Sequence, residues 1–442
     1  MYRFLLPLGL AALFITPVFS QTLTAVPAGT AEQDSAPPSA QKTSVWSLAD
    51  SVRRIHDIAP ELHTAEAEIA AREAELAQAE AWPNPTIDVR ADNRLGIEDG
   101  SGGSNLTQIA LSQPLPLRRL GRQRAVAEAN LDSAREKLRY RKLLLEREAA
   151  RVFQTLQLAE AKFQLARERL QLVAESLATS RKAGADRLVR YLTPLERQRL
   201  VILSEEASQA VAIAEREQQK ALIDFRTLLA LPHGKPIKLT ALDHQVAPAK
   251  LDVYVRMLEA HPSLSVARKE YEAAQAGIAL AESQRYADPS LNLFRERDYL
   301  AGQRRDVTGI GVSVQLPLWN SNNGQVAKAG ADAGRTQAQL AIEQRDARNR
   351  LEQAYTQLLH LLEQNERIHK NLLEPAREMY AITRRGFAAG ELNVLTLVDA
   401  SNTYFDAHAR HLQLQQESAL AAADLRLAAG ISVFDSRKDM TP

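Results

Sequence analysis

The 442-residue sequence contains no cysteine. This absence excludes disulfide bonds, thiolate metal sites, a catalytic cysteine and lipidation at an N-terminal cysteine. Aromatic residues are also scarce, at 5% of the chain. Ala, Leu, Glu, Gln and Arg dominate the composition instead. This composition is typical of long helices and coiled coils rather than of packed α/β cores.

The chain also lacks a strong net charge and, beyond its first residues, any long apolar run. The formal charge is +1, which argues against a nucleic-acid partner. No segment has 18 continuous apolar residues, which excludes a helical membrane protein. The first residues, "MYRFLLPLGLAALFITPVFSQT", have one Arg, a short apolar core and a plausible cleavage point near Ser20. They predict a signal peptide over residues 1–20, because the apolar core is too short for a membrane anchor.

The two halves of the chain are copies of one unit. Proline, leucine and glycine residues recur in the second half about 204 residues after their positions in the first. Chance similarity between Ala-rich helices does not explain these shared proline and glycine positions. The matched pairs are Pro60 with Pro262, Leu62 with Leu264, Pro85 with Pro289, Pro116 with Pro317, Gly121 with Gly324, and Gly184 with Gly390.

Each copy is predicted to form a helix, two strands joined by a loop, a long helix, a turn and a second long helix. The first helices are expected over residues 47–81 and 251–285, and proline ends both. The segments "TIDVRAD" and "TGIGVSVQL" alternate between apolar and polar residues. This pattern fits a half-buried sheet or a strand of a membrane barrel. The loops are expected in "LGIEDGSGGSN" and "RERDYLAGQRRD".

A coiled-coil seam runs along the long helices. From Arg122 to about Lys182 there is neither Pro nor Gly, and apolar residues recur every seven positions. Pro375 is expected to interrupt and bend the corresponding helix of the second copy. Gly184 and Gly390 are expected to begin the turns into the returning helices, over residues 186–231 and 391–429. Pro194 allows a kink or a late start in the first of these.

Four strands cannot close a membrane barrel, because the smallest barrels have about eight. An open sheet in lipid would leave unsatisfied backbone groups at its edges. If the hairpins span a membrane, several chains must therefore share one barrel.

The chain resembles the TolC family of outer-membrane efflux ducts over residues 47–431. The resemblance lies in the duplicated "PNP" and "ADP" segments before the strands, in "SQPLPL" and "VQLPLWNSNNGQ" after them, and in "GFAAGELNVLTLVDASNTYFDAH". It implies a mainly α fold with membrane β-strands, and a homotrimer that shares a 12-strand β-barrel and a 12-helix periplasmic α-barrel. It also implies a passive conduit in the outer-membrane lipid that serves a periplasmic adaptor and an inner-membrane pump of the RND type. "LPLWNSNNGQ" with the upstream "PNP" most resembles heavy-metal ducts of the cobalt–zinc–cadmium type.

The composition of the N-terminal residues and the internal repeat together predict a domain organisation. The predicted segments are a signal peptide (1–20), a disordered periplasmic leader (21–46), a first repeat (47–246) with strands within 85–116 and a helical hairpin at 122–231, a second repeat (247–431) with strands within 289–317 and a helical hairpin at 325–429, and a C-terminal tail (432–442).

The resemblance further implies the positions of the functional residues. Asp399 matches the family's periplasmic tip, where three copies would form an acidic ring that favours cations. The family's best-known tip has a second acid three residues earlier, where this chain has Thr396. Gly184 and Gly390 would mark the tip turns that meet the adaptor. The strand-to-helix junctions would lie at Pro116, Gly121, Pro317 and Gly324, where glycine allows a tight transition.

The sequence predicts neither a catalytic site nor a cofactor. His408 and His411 could share a helix face, but no third ligand is evident, so solvated histidines are the preferred interpretation over a metal site. Arg118, Arg119, Arg122 and Arg124 either line the membrane boundary or pair with acidic neighbours. Three alternatives to a metal duct remain: a drug-efflux duct, a type I secretion duct and a secreted coiled-coil scaffold. A periplasmic adaptor would need a β-rich block, which is not evident.

Overall fold

The protein is described by a computed structural model over residues 45–91, 107–183, 193–232, 234, 236–241, 247–300 and 303–433. The signal peptide, the leader up to residue 44, Gly184 and the loop at 92–106 lie outside these residues. The helices are α1 (Leu48–Ile58), α2 (Pro60–Glu80), α3 (Arg119–Ala183), α4 (Pro194–Leu228), α5 (Leu251–Leu258), α6 (Pro262–Ser283), α7 (Asn323–Ile368), α8 (Glu374–Ala388) and α9 (Val394–Ala428). The strands are β1 (Val45–Trp46), β2 (Thr86–Ala91), β3 (Thr107–Pro114), β4 (Lys238–Leu239), β5 (Ser290–Leu300) and β6 (Gln303–Ser313).

The predicted coiled-coil seam is buried along α3, which has 65 residues and is about 100 Å long at 1.5 Å per residue. Leu131, Leu145, Val152 and Val173 lie at heptad spacing on this helix, and all four are buried. α3 packs against α2, α4, α6 and α9. No helix within the described part of the chain is both long enough and apolar enough to cross a membrane.

Each half has its own apolar core where a short helix meets the long ones. In the first half, Ile55 of α1 lies with Phe153 of α3 and Phe225 of α4. In the second half, Tyr254 of α5 lies with Leu351 of α7 and Leu425 of α9, among others. Corresponding helices of the two halves thus build corresponding cores, as expected for a duplicated unit.

The first helix of each copy is shorter than predicted. The prediction of single helices over residues 47–81 and 251–285 is wrong, because each segment divides into two helices. Pro60 and Pro262 each start the second helix, and the residues before them, Ala59 and His261, have extended backbones. Proline disfavours the helical conformation of its predecessor but fits the first turn of a helix, where its missing N–H costs nothing.

Two helix boundaries in the long hairpins also follow from proline. α4 starts at Pro194, the late start that the sequence allowed, and Thr193 and Glu196 form a capping box there. Pro375 interrupts the α-helix of the second copy, as predicted, since α7 ends at Ile368 and α8 begins at Glu374. The five residues His369–Leu373 form a π-helical turn that joins α7 to α8, and Pro375 lies in the first turn of α8.

The strands form two sheets. β1 pairs with β4 in parallel, so the prediction that a disordered leader extends to residue 46 is wrong at Val45 and Trp46. The other sheet has the order β2-β3-β5-β6, and all three pairings are antiparallel. The predicted loop at 295–306 is wrong, since β5 and β6 stay paired out to Leu300 and Gln303.

Candidate functional site

The four-stranded sheet has one exposed apolar face. Ile87 of β2, Leu111 of β3, Leu293 of β5 and Ile310 of β6 are successive partners across it. All four side chains are exposed, and Ile310 is 73% exposed. A soluble antiparallel sheet would turn such a row toward a core. The exposed row instead fits the lipid-facing surface of a membrane strand.

The opposite face of the sheet is mainly polar. Its described side chains include Thr86, Asp88, Arg90, Gln108, Ser112, Asn292 and Glu296. One aromatic ring interrupts this polar surface, because Phe294 lies over its partner Gly309. A Cβ added at Gly309 would lie 2.4 Å from Cζ of Phe294, so the ring needs a glycine beneath it. Alternation of apolar and polar faces is the arrangement of strands around an aqueous lumen.

Both edges of this sheet lack a partner strand within the described residues. β2 and β6 are the terminal strands in the order β2-β3-β5-β6. An unpaired edge in lipid leaves N–H and C=O groups without hydrogen bonds. The sheet in one chain is therefore incomplete as a membrane structure.

The two Leu-Pro-Leu segments make the same turn after β3 and β6. The N–H of Leu117 donates to the carbonyl of Leu115 at 2.8 Å, and the N–H of Leu318 donates to the carbonyl of Leu316 at 3.0 Å. Pro116 and Pro317 are the central residues of these three-residue turns, which suit the fixed φ of proline. The expectation that Gly121 and Gly324 make the tight transition is wrong. Both lie inside the first turn of a helix, and neither has a positive φ.

The arginines at the first junction contact both acids and an aromatic ring. Arg119 pairs with Asp288 at 3.2 Å. Arg124 pairs with Glu80 and Glu128, and the guanidinium of Arg118 lies 5.7 Å from the ring centroid of Tyr286. Acidic pairing therefore accounts for Arg119 and Arg124.

The turn between α8 and α9 is built around glycine. Gly390 has φ +79°, in the left-handed region that favours glycine. The N–H groups of Glu391 and Leu392 donate to the carbonyl of Gly386, which closes the end of α8. Gly386 is also needed for space, because an added Cβ would lie 2.7 Å from Cδ1 of Leu392.

The acidic tip residue lies just beyond this turn, in the second turn of α9. Asn393 caps α9 by accepting hydrogen bonds from the N–H and the hydroxyl of Thr396, both at 2.9 Å. Asp399 follows three residues later with an exposed side chain. The Thr396 hydroxyl is thus engaged in the helix cap, whereas Asp399 supplies an exposed carboxylate near the start of α9.

The interpretation of His408 and His411 as solvated histidines is wrong, because His408 is half-buried and His411 is buried. His411 is buried, and its ring centroid lies 5.0 Å from that of His369 on the π-helical turn. The His408 ring lies 5.8 Å from that of Tyr404, and burial lowers the pKa of His408. Within the described residues, no three His, Cys, Asp or Glu side chains converge as metal ligands. The sequence showed the histidine spacing but not the second helix that covers it.

Comparison with known proteins agrees with this architecture. The family described as outer membrane efflux protein matches the chain twice, at residues 53–231 and 253–431. The cobalt-zinc-cadmium resistance protein CzcC of Cupriavidus metallidurans is 24% identical over 436 residues, covering 96% of this chain and 99% of the relative. The nickel-cobalt-cadmium resistance protein NccC of Alcaligenes xylosoxydans xylosoxydans is 25% identical over 279 residues, covering 60% of this chain and 59% of that protein.

Solved structures show the same fold. CusC, whose crystal structures concern folding and transmembrane channel formation, superposes with a TM-score of 0.70 at 17% identity. The superposition covers 87% of this chain and 92% of the CusC chain.

Proposed function

The chain belongs to the outer membrane efflux protein family, and on that premise we propose that three copies form a passive duct that releases heavy-metal cations from the cell. The duct would span the outer membrane with twelve strands and extend into the periplasm with twelve helices. A periplasmic adaptor and an inner-membrane pump of the RND type would supply its cargo. The observation that carries this proposal is the exposed apolar row Ile87–Leu111–Leu293–Ile310 on a sheet with two open edges.

The similarity to CzcC over nearly the whole of both chains favours metal ions as the cargo. A conduit needs no tight metal site, because it must release what it carries. The histidines on α9 and on the π-helical turn are accordingly not required as ligands.

A strain that lacks this protein tests the cargo. We expect the deletion strain to lose resistance to Co²⁺, Zn²⁺ and Cd²⁺, and the plasmid-borne gene to restore it. Resistance to drugs and secretion of proteins should stay unchanged. Loss of drug resistance or of protein secretion alone would assign the duct to one of those classes instead.

The proposed tip ring can be tested through Asp399. Three exposed carboxylates around a shared axis would attract divalent cations. We expect Asp399→Asn to weaken block of the channel by divalent cations severalfold in planar bilayers, because it removes three charges and keeps the shape of the side chain.

Asp399→Glu is the matched control, since it keeps the charge and should keep the block. Equal block in the parent and in Asp399→Asn would show that Asp399 is an ordinary surface acid and that the constriction lies elsewhere.

A further inference from the structure

The apolar row of β6 continues beyond the strand toward the helices. Ile310, Val312, Val314, Leu316 and Leu318 alternate with small or polar residues and Pro317, and all five are exposed. Trp319 follows and is 94% exposed. Exposed Trp is typical of the level of lipid headgroups, where its ring has both apolar and polar neighbours. This end of the apolar surface therefore marks one boundary of the membrane.

The other end of the same face is basic. By the strand register, Arg295 lies between Ile109 and Thr308, and Arg297 lies between Thr107 and Asp306. Odd-numbered positions of β5 share one face, so both arginines lie on the face that carries Leu293. On this face of β5, the apolar Leu293 is thus followed directly by the charged Arg295.

The two arginines converge on one carboxylate. Nε of Arg297 lies 3.0 Å from Oδ1 of Asp306, and Nη2 of Arg295 lies 3.4 Å from Oδ2. Two guanidinium groups against one carboxylate leave a net charge of +1. The side chain of Arg295 is 68% exposed and points along the sheet toward Asp306, away from the apolar row.

The distance between the two boundaries fits one membrane. The extended chain ends at Leu316, where the Leu-Pro-Leu turn begins, and ten residues or about 34 Å separate Leu316 from Asp306. At a strand tilt of about 40° this becomes about 26 Å along the membrane normal, and the apolar band of outer-membrane barrels is about 25 Å tall. If the Trp319 end faces the periplasm, Arg295 and Arg297 lie at the headgroups of the outer leaflet.

We propose that Arg295, Arg297 and Asp306 form a binding site for the phosphate groups of a phosphorylated glycolipid of the outer leaflet. The planar guanidinium donates two parallel hydrogen bonds to phosphate oxygens, and a lipid-facing surface lets such a headgroup approach from the side. Asp306 holds the two arginines together in the absence of lipid. This inference rests on the proposed placement of the sheet in the outer membrane.

The test measures binding of lipid A to the detergent-purified trimer by native mass spectrometry. Bisphosphorylated lipid A is compared with its dephosphorylated form, and inorganic phosphate is added as a competitor. Each Arg near an anionic lipid surface contributes about a fivefold gain in affinity. We therefore expect the double variant Arg295→Gln/Arg297→Gln to bind bisphosphorylated lipid A at least fivefold more weakly.

Arg305→Gln is the matched control. Arg305 is exposed and lies next to Asp306 in sequence, but it points to the opposite face of the sheet. This variant should bind lipid A like the parent. The parent should also prefer the bisphosphorylated lipid, and millimolar inorganic phosphate should displace little of it, because the acyl chains contribute to binding.

Three outcomes would overturn the inference: equal binding by the double variant, equal binding of the dephosphorylated lipid, and full displacement by inorganic phosphate. Insertion of each variant into vesicles is measured in parallel. A parent chain that inserts but shows no preference for phosphorylated lipid rejects this site and leaves the duct intact. A parent chain that fails to insert rejects the placement of the sheet and this site with it.

Discussion

At the scale of single residues, the chain uses glycine where space or backbone conformation demands it. Gly309 lies beneath Phe294, Gly386 lies beneath Leu392, and Gly390 has a positive φ. The sequence indicated the turn at Gly390, because this glycine follows a long helix and recurs in the repeat. It could not indicate Gly309, since the need for glycine there arises from a ring on the neighbouring strand.

Gly309→Ala should destabilise the sheet, because its methyl group would overlap the Phe294 ring. Overpacking of this kind costs about 1–3 kcal/mol. Gly311→Ala is the control, since its nearest neighbour would be Cβ of Asn292 at 4.0 Å, and it should change stability by no more than about 0.5 kcal/mol. Urea titration of the folded, heat-modifiable form on gels measures both variants. Addition of Phe294→Ala should reduce the effect of Gly309→Ala, and no such relief would show that the ring is not the cause.

His261 should make the stability of the second repeat sensitive to acid. Its Nδ1 accepts the N–H of Ser263 at 3.1 Å, so Nε2 carries the proton and donates to the Leu427 carbonyl at 2.9 Å. Burial lowers the pKa of His261 below its ordinary value of 6.5. The neutral ring is therefore the folded form, and its contribution is present above pH 6.5 and lost as the pH falls through the lowered folded pKa.

His261→Asn should reduce this acid sensitivity, because Asn can also cap α6 but does not titrate. Thermal unfolding followed by circular dichroism at pH 7.5 and 5.0 measures the difference. His261→Ala loses the cap and should cost about 1 kcal/mol at pH 7.5. The first repeat has Ala59 at the corresponding position, with no side-chain cap. Identical pH dependence of the parent and His261→Asn would contradict the assignment.

At the scale of elements, the sequence predicted the long helices well and their interruptions less well. The heptad rows of α3 and the proline and glycine positions depend on local chemistry, so they could be predicted from one chain. The continuation of β5 and β6 into the predicted loop at 295–306 could not, because charged residues such as Arg297 and Asp306 are typical of loops. Their pairing across the two strands, at 3.0 Å, is a tertiary contact.

The π-helical turn is the form that the predicted interruption at Pro375 takes. Pro375 lacks an N–H and interrupts α-helical hydrogen bonding, and the chain stays helical there because the N–H of Glu374 bonds to the carbonyl of His369, five residues back. The turn sets the rotation of α8, which places Tyr380 flat against Tyr404 of α9 with ring centroids 5.3 Å apart. A π-turn adds one residue to the α-helical register.

Deletion of the exposed Asn371 should remove that extra residue, make the helix continuously α-helical and leave the rotation of α8 unchanged. Tyr380 should stay against Tyr404, while Pro375 would lie inside an α-helix, which costs about 3 kcal/mol. Deletion of Glu378, in the regular part of α8, is the matched comparison, because it should rotate Tyr380 by about 100° relative to α7. We expect near-ultraviolet circular dichroism to keep the tyrosine signals in the first deletion and to lose them in the second. Loss of these signals in both deletions would contradict this account of the π-turn.

At the scale of the whole molecule, the repeat and the open sheet point to the same assembly. Each repeat contributes two strands and a helical hairpin, which is half of what one chain brings to the duct. Both edges, β2 and β6, remain open to a neighbour within the described residues. The sequence could predict that four strands do not close, since this follows from counting. The sequence could not predict the register between β2 and β6 of neighbouring chains, because that register depends on contacts with a second copy.

The absence of cysteine makes this contact directly testable. The proposed trimer requires β2 of one chain to pair with β6 of the next, and residues that oppose each other across strands must share a face. We expect Val89→Cys on β2 to cross-link with at least one of Thr308→Cys, Ile310→Cys or Val312→Cys, which lie on the same face and sample three registers. Oxidation should give covalent dimers and trimers on denaturing gels.

Two sets of controls decide the outcome. Val89→Cys with Val307→Cys or Ser313→Cys, on the opposite face, should give no covalent dimers or trimers. Leu111→Cys with Leu293→Cys is the positive control, since these residues are partners within one chain and should form a bond without any increase in mass. If that control forms while no same-face pair yields a larger species, the edges do not meet between chains and the shared barrel is wrong.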